Sequence, residues 1–136
     1  MPPSLAGNLV RVVAGILEVE GAAIEKPPMA CLSDTTPMTG AIVASGSWAL
    51  DHVGTPSSKG ARVGVRLLDG SGKILPKGVV PGGSQVFVAT GRLVADWTAF
   101  KQTIPQHAGV AQVRLCVDNQ GGSGVVRVRD VVVGLE

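Results

Sequence analysis

The sequence predicts an all-β chain, an antiparallel sandwich or barrel built as a single domain over residues 1–136. Three observations predict it. Glycine and proline recur at short intervals, 19 and 9 times in 136 residues, which leaves little room for a helix of ordinary length. Between them lie segments rich in β-branched residues, each bounded by Gly, Pro, Asn or Asp, as short strands are. In three of those segments apolar and polar residues alternate with period two, the mark of a half-buried strand. A chain of this length buries roughly two thirds of its unfolded surface, so it needs neither metal nor disulfide to fold.

The elements follow in order. "NLVRVV" (8–13) is the first strand. "AGILEVEGAAIEK" (14–26) is the one stretch with helical character, but Ile16, Val19 and Ile24 make no clean stripe and Gly21 interrupts, so it too is expected to be a strand. "EKPPMACLSDTTPMTG" (25–40) reads as a loop crossing between sheets. "GAIVASGSWAL" (40–50), "ARVGVRLLD" (61–69), "SQVFVATGRLV" (84–94), "VAQVRLCVDN" (110–119) and "GVVRVRDVVVGL" (124–135) are strands. "LLDGSGKIL" (67–75) has a hairpin form, with Asp69-Gly70 and Ser71-Gly72 able to supply the positive φ of a tight turn. "DNQGGSG" (118–124) is a longer glycine loop joining the last two strands.

Alternation assigns faces. Val63, Val65 and Leu67 point one way and Arg62, Gly64 and Arg66 the other. Val113, Leu115 and Val117 oppose Gln112, Arg114 and Cys116, and Val126 and Val128 oppose Arg127 and Arg129. Arg62, Arg66, Arg114, Arg127 and Arg129 therefore gather on one outer sheet face if their strands are neighbours, and the last two strands are the pair expected to be adjacent. A solvated face is the ordinary use of such charges. Asp130 falls on the apolar side of the pleat, so it requires a partner: a metal, an arginine or backbone donors.

Composition narrows function. Only 16 % of residues are charged and the net charge is +2, which leaves a thin solubility margin and favours attachment to a larger protein or burial in a homo-oligomer. No run of Lys or Arg exists and aromatics are 3 % with no Tyr, so nucleic acid is not expected as a partner. No apolar run approaches a membrane span. G-x-S-x-G, H-E-x-x-H and phosphate-loop patterns are missing; "DGSGKI" lacks the upstream glycine, and Ile74 stands where Ser or Thr belongs. His52 and His107 lie in or beside turn-like segments, and no carboxylate pair has a spacing that fixes acid–base geometry. No catalytic residue is expected. Cys31 and Cys116 both sit in apolar surroundings, which favours two buried thiols, with one disulfide the alternative. "MPPSLAGNLV" carries no basic segment followed by an apolar one, so no signal peptide is visible; the expectation is a cytoplasmic protein or a domain of a larger secreted or phage protein.

The C-terminal third, "ADWTAFKQTIPQHAGVAQVRLCVDNQGGSGVVRVRDVVV", resembles the closing segment of carbohydrate-binding-module jelly rolls of the galactose-binding-like type, through Trp97, Phe100, Pro105, Ala111, Val113, Leu115, Gly124, Asp130 and Val131–Val133. "ARVGVRLLDGSGKIL" resembles the family's middle hairpin. The resemblance covers roughly half of the chain and speaks for fold more than for ligand. It implies a jelly-roll β-sandwich and glycan as partner. It places Trp97 at a core position, which leaves Trp48 as the candidate sugar platform, although Trp48 shares a strand face with Gly46 and Leu50 and so also reads as core. It further implies a structural Ca2+ between an early acid, matched by Glu18 or Glu20, and the late Asp130, while Arg129 stands where the family more often has a second acid.

Two functions follow. One is a non-catalytic carbohydrate-binding module, with Arg62, Arg66, Arg114, Arg127 and Arg129 favouring an acidic polysaccharide because guanidinium forks pair with carboxylates and sulfates. The alternative is a structural subunit of a virion, phage particle or other homo-oligomer, with the arginine face as intersubunit surface.

Overall fold

The structure, a computed structural model, describes residues 10–21, 29–51, 60–76, 85–91, 94–120 and 124–136. Its regular elements are all strands: β1 (Val10–Val13), β2 (Ile16–Glu20), β3 (Met29–Cys31), β4 (Thr36–Pro37), β5 (Ile42–Asp51), β6 (Ala61–Leu68), β7 (Gln85–Gly91), β8 (Val94–Ile104), β9 (Gln112–Asn119) and β10 (Val125–Leu135). They form two antiparallel sheets. The first has the order β1-β2-β10-β5-β8; the second runs β3-β9-β6-β7, with β4 also on β9. From β2 onward the chain repeatedly changes sheet: β2 to β3, β4 to β5, β5 to β6, β7 to β8, β8 to β9 and β9 to β10. This is the jelly-roll form of the β-sandwich.

Register explains what is buried. Opposed residues in a ladder share a face, so Val19, Val126 and Leu50 line up across the first sheet, as Val117 and Val63 do across the second. All five are buried at 2 % exposure or less. Trp48, Phe100 and Ile104 complete the same core. A Cβ on Gly46 would stand 2.7 Å from Phe100 Cζ, so the glycine makes room for that ring. At one end of the sandwich the buried amide of Asn119 on β9 donates to the Val19 carbonyl on β2 at 3.2 Å and to Gly124 O at 3.3 Å, which ties the two sheets together.

Several expectations are corrected. The segment 14–26 begins with a turn: Ala14 and Gly15 both have positive φ (52° and 79°), and Val13 pairs with Ile16 around them. The expected crossing loop contains β3 and β4. The strand expected at 84–94 belongs to two elements, β7 in the second sheet and β8 in the first, and most of β8 lies outside the expected strands because Asp96, Thr98 and Gln102 interrupt the apolar alternation on the side of Phe100 and Ile104. Cys31 and Cys116 are not two buried thiols; they are joined in a disulfide between opposed positions of β3 and β9. The hairpin after β6 forms as expected: Asp69 Oδ1 accepts from the backbone of Ser71 (2.9 Å) and Lys73 (3.0 Å), and Leu75 N–H donates to Leu67 O at 3.1 Å. Those bonds, with the Ser71 hydroxyl foremost, hold the Asp69 carboxyl below its usual range. Residues 8–9, 22–28, 84, 92–93 and 121–123 of the expected strands and loops, and His52, lie outside the described residues.

The expected adjacency of the last two strands is also wrong. β9 pairs with β3, β4 and β6, whereas β10 pairs with β2 and β5. A glycine loop reverses the chain equally well into a hairpin or into the facing sheet. The valines of both strands need burial on one side only, and two such faces bury each other best from opposite sheets.

Candidate functional site

Among the described residues, the outer face of the first sheet carries an ion network and a stacked pair. Arg11, Glu18 and Arg127 lie in one row across β1, β2 and β10. Glu18 Oε1 accepts from Arg11 Nε at 2.8 Å and Oε2 from Arg127 Nε at 2.9 Å. The Arg127 hydrogen bond, followed by that of Arg11, holds the Glu18 carboxyl below the usual carboxylate range. One row further, Arg129 opposes Ser47 of β5. Its guanidinium carbon stands 4.0 Å from the centroid of the Trp97 ring on β8, which is cation–π geometry. Ser45, Ser47 and Ala49 share this outward face of β5 between the flanking strands β10 and β8, so small side chains form the floor between Arg129 and Trp97.

The outer face of the second sheet differs in its pairing. Arg62 opposes Asp118 and bonds it twice, Nη2–Oδ2 at 2.9 Å and Nε–Oδ1 at 3.3 Å. Its guanidinium also lies 4.4 Å from the Phe87 ring centroid. Four residues along β6, Arg66 stands directly opposite Arg114 on β9 and opposite Gln85 on β7. Arg66 donates through Nη2 to Met29 Sδ at 3.0 Å. The Nε atoms of Arg66, Arg114 and Arg129 are buried without a hydrogen-bond partner. The Gln85 amide lies across β6 at Gly64, where a Cβ would meet its Nε2 at 2.6 Å.

The expected single arginine face is therefore two. Arg62, Arg66 and Arg114 share the outside of the second sheet; Arg127 and Arg129 share the outside of the first. They separate because β9 and β10 lie in opposite sheets. Trp48 is 4 % exposed and packs in the core, so it is no platform. Asp130 is not buried either. The β10–β5 register shifts between Arg129 and Val132, and Asp130 takes φ 57° in that bulge. The extra residue turns its side chain out, 79 % exposed, with Arg129 Nε 3.6 Å away.

The acids expected to hold Ca2+ do not fit the ion. Glu18 holds two guanidiniums, Glu20 takes Arg11 at 3.4 Å, and Asp130 faces solvent beside Arg129. Among the described residues no three His, Cys, Asp or Glu side chains form a metal-sized group. Six to eight oxygens suit calcium; here arginines occupy the acids that would begin such a set.

Sequence reasoning missed Trp97 and Gln85 as surface groups. A usable signal existed for Trp97. It lies three residues before Phe100 in one strand, so the two rings must face opposite ways, and Phe100 is the buried one, at 7 %. An apolar cavity of about 170 Å³ between the sheets, lined by Val12, Leu17, Leu32, Leu115 and Val128, has only Arg129 and Asp130 at its polar rim, too few polar groups for a polyhydroxyl ligand.

Solved structures share this strand arrangement. The CBM22-1 xylan-binding domain of Paenibacillus barcinonensis Xyn10C matches with a TM-score of 0.54 at 15 % identity, over 91 % of this chain and 78 % of that one. The fold is the jelly roll of carbohydrate-binding modules. A family 4 carbohydrate-binding module matches this jelly roll with a TM-score of 0.50 at 13 % identity, over 91 % and 76 % of the two chains. The enzymatically active domain of a bacteriophage CBA120 tailspike protein matches at 0.56 and 13 % identity over 89 % of this chain. The chain spans 15 % of that tailspike structure's length. No protein-family model matches the sequence, nor does any curated protein. At these identities the carbohydrate-binding-module jelly roll is a statement of fold, and ligand has to be argued from the two outer faces.

Proposed function

We infer that the chain is a non-catalytic carbohydrate-binding module and that its ligand is an acidic polysaccharide. The observation that carries this reading is Arg129 stacked on Trp97 above the small-residue floor of the first sheet. An acidic sugar ring has an apolar C–H face and a charged group at its edge. An aromatic ring beside a guanidinium answers both needs, by stacking and by charge-assisted hydrogen bonds. Trp97 also holds Arg129 in one orientation, which lowers the entropy lost on binding. The fold shared with sugar-binding modules supports the coarser reading. Calorimetry with a polyuronate and a neutral β-glucan tests it. The acidic chain should bind, weaken as salt rises, and lose roughly tenfold in affinity in Trp97→Ala and in Arg129→Ala. Binding to the neutral chain alone, or to neither, would overturn the reading.

The tailspike likeness favours a second reading, a structural subunit of a phage or other assembly. Size exclusion with light scattering decides between them: a strict monomer at tens of micromolar counts against assembly.

A further inference from the structure

We propose that the row Arg114–Arg66–Gln85 on the outer face of the second sheet is an anion-binding site that takes a single carboxylate or sulfate group. This inference rests on the glycan reading only for the source of the anion. The site itself stands on geometry. Arg66 and Arg114 are directly opposed across the β6–β9 ladder, where like charges destabilise a sheet. The arginines bonded to Asp118 and Glu18 have their charges answered. Arg66 and Arg114 have no carboxylate among the described residues, and each keeps a buried Nε without a hydrogen-bond partner. Arg66 has one neutral contact, Met29 Sδ at 3.0 Å.

Two guanidinium forks side by side present donors that match the oxygens of a carboxylate or sulfate two at a time. Gln85 opposes Arg66 on the far side, so the row runs across three strands without a carboxylate, and the Gln85 amide lies over the neighbouring Gly64. The nearest acid along β9, Asp118, is committed to Arg62 at 2.9 Å. An anion between Arg66 and Arg114 offsets their repulsion and gives their Nη donors a charged partner. The row lies on the opposite side of the sandwich from Trp97 and Arg129, so it is a second site rather than an extension of the first.

Sodium sulfate and sodium glucuronate are the probes, with sodium chloride at equal ionic strength as the reference. Sulfate should raise the thermal midpoint above the chloride value, and titration followed by NMR should shift the Arg66 and Arg114 Nε–H signals. Arg66→Gln and Arg114→Gln should each weaken anion binding roughly tenfold or more. In dilute chloride each should melt no lower than the parent, because the opposed like charge is gone. Arg66→Lys, which keeps the charge and loses the fork, should fall between. Unchanged sulfate and glucuronate affinity in both glutamine variants would overturn the site. If polyuronate binds the parent and these variants equally, this inference fails and the glycan reading stands. If sulfate binds at the row while no polysaccharide binds the parent, the glycan reading fails and the site stands.

Discussion

Glu18 and Arg127, on neighbouring strands β2 and β10, are joined by a 2.9 Å bond between Oε2 and Nε. Arg11 takes the other carboxylate oxygen from β1 at 2.8 Å, so one acid holds three strands of the first sheet. Its carboxyl is held below the usual range by those two arginines. A carboxyl whose pKa is lower in the folded state stabilises above its unfolded value, about 4.3, and that contribution is lost as pH falls through the folded value. Glu18→Gln should therefore cost about 1 kcal/mol at pH 7 and cost progressively less below about pH 4. Urea unfolding at both ends of that range checks it. An equal cost at pH 7 and pH 2 would show that the ion pairs are not the source.

The Cys31–Cys116 bond closes a loop with a sequence separation of 85. Loop-closure entropy puts its stabilisation at about 4.5 kcal/mol. It also secures β3, which has only three paired positions on β9. The double variant Cys31→Ser, Cys116→Ser should lower the unfolding free energy measured in urea by that amount. A shift equivalent to less than about 1 kcal/mol would mean that β3 holds without the cross-link.

Ala14 has φ 52° in the two-residue turn between β1 and β2. The left-handed region costs an L-residue with a Cβ about 1 kcal/mol or more, and turns with two positive φ values favour Asn-Gly. Ala14→Asn should raise the thermal midpoint by a few degrees. An unchanged or lowered midpoint would argue against that turn.

Gly46→Ala places a methyl 2.7 Å from Phe100 Cζ and 3.2 Å from Arg129 O. Overpacking of this kind costs about 1–3 kcal/mol. Adding Phe100→Leu should recover part of the loss, and two purely additive losses would assign the cost to the backbone contact instead.

The residues show how far sequence alone reached. Val63, Val65, Val113, Leu115, Val126 and Val128 were assigned to inward faces by alternation and all are buried, because the period of a strand is a local property. The "DGSGK" hairpin was legible for the same reason: Asp69 finds its donors within four residues. Asp130 defeated the same rule. One bulged residue resets the parity, and a bulge is decided by the partner strand.

The amino-acid sequence by itself determined that the chain is all-β, which side chains of its regular strands go inward, and where the hairpin at Asp69–Lys73 turns. Tertiary structure alone decided that β9 and β10 lie in opposite sheets, that the arginines form two faces, that Cys31 meets Cys116, and that Arg129 meets Trp97. Those outcomes depend on which strands pair across long separations. A strand's alternation is the same whichever neighbour it takes, so only the packed sandwich, burying both apolar faces at once, selects the pairing.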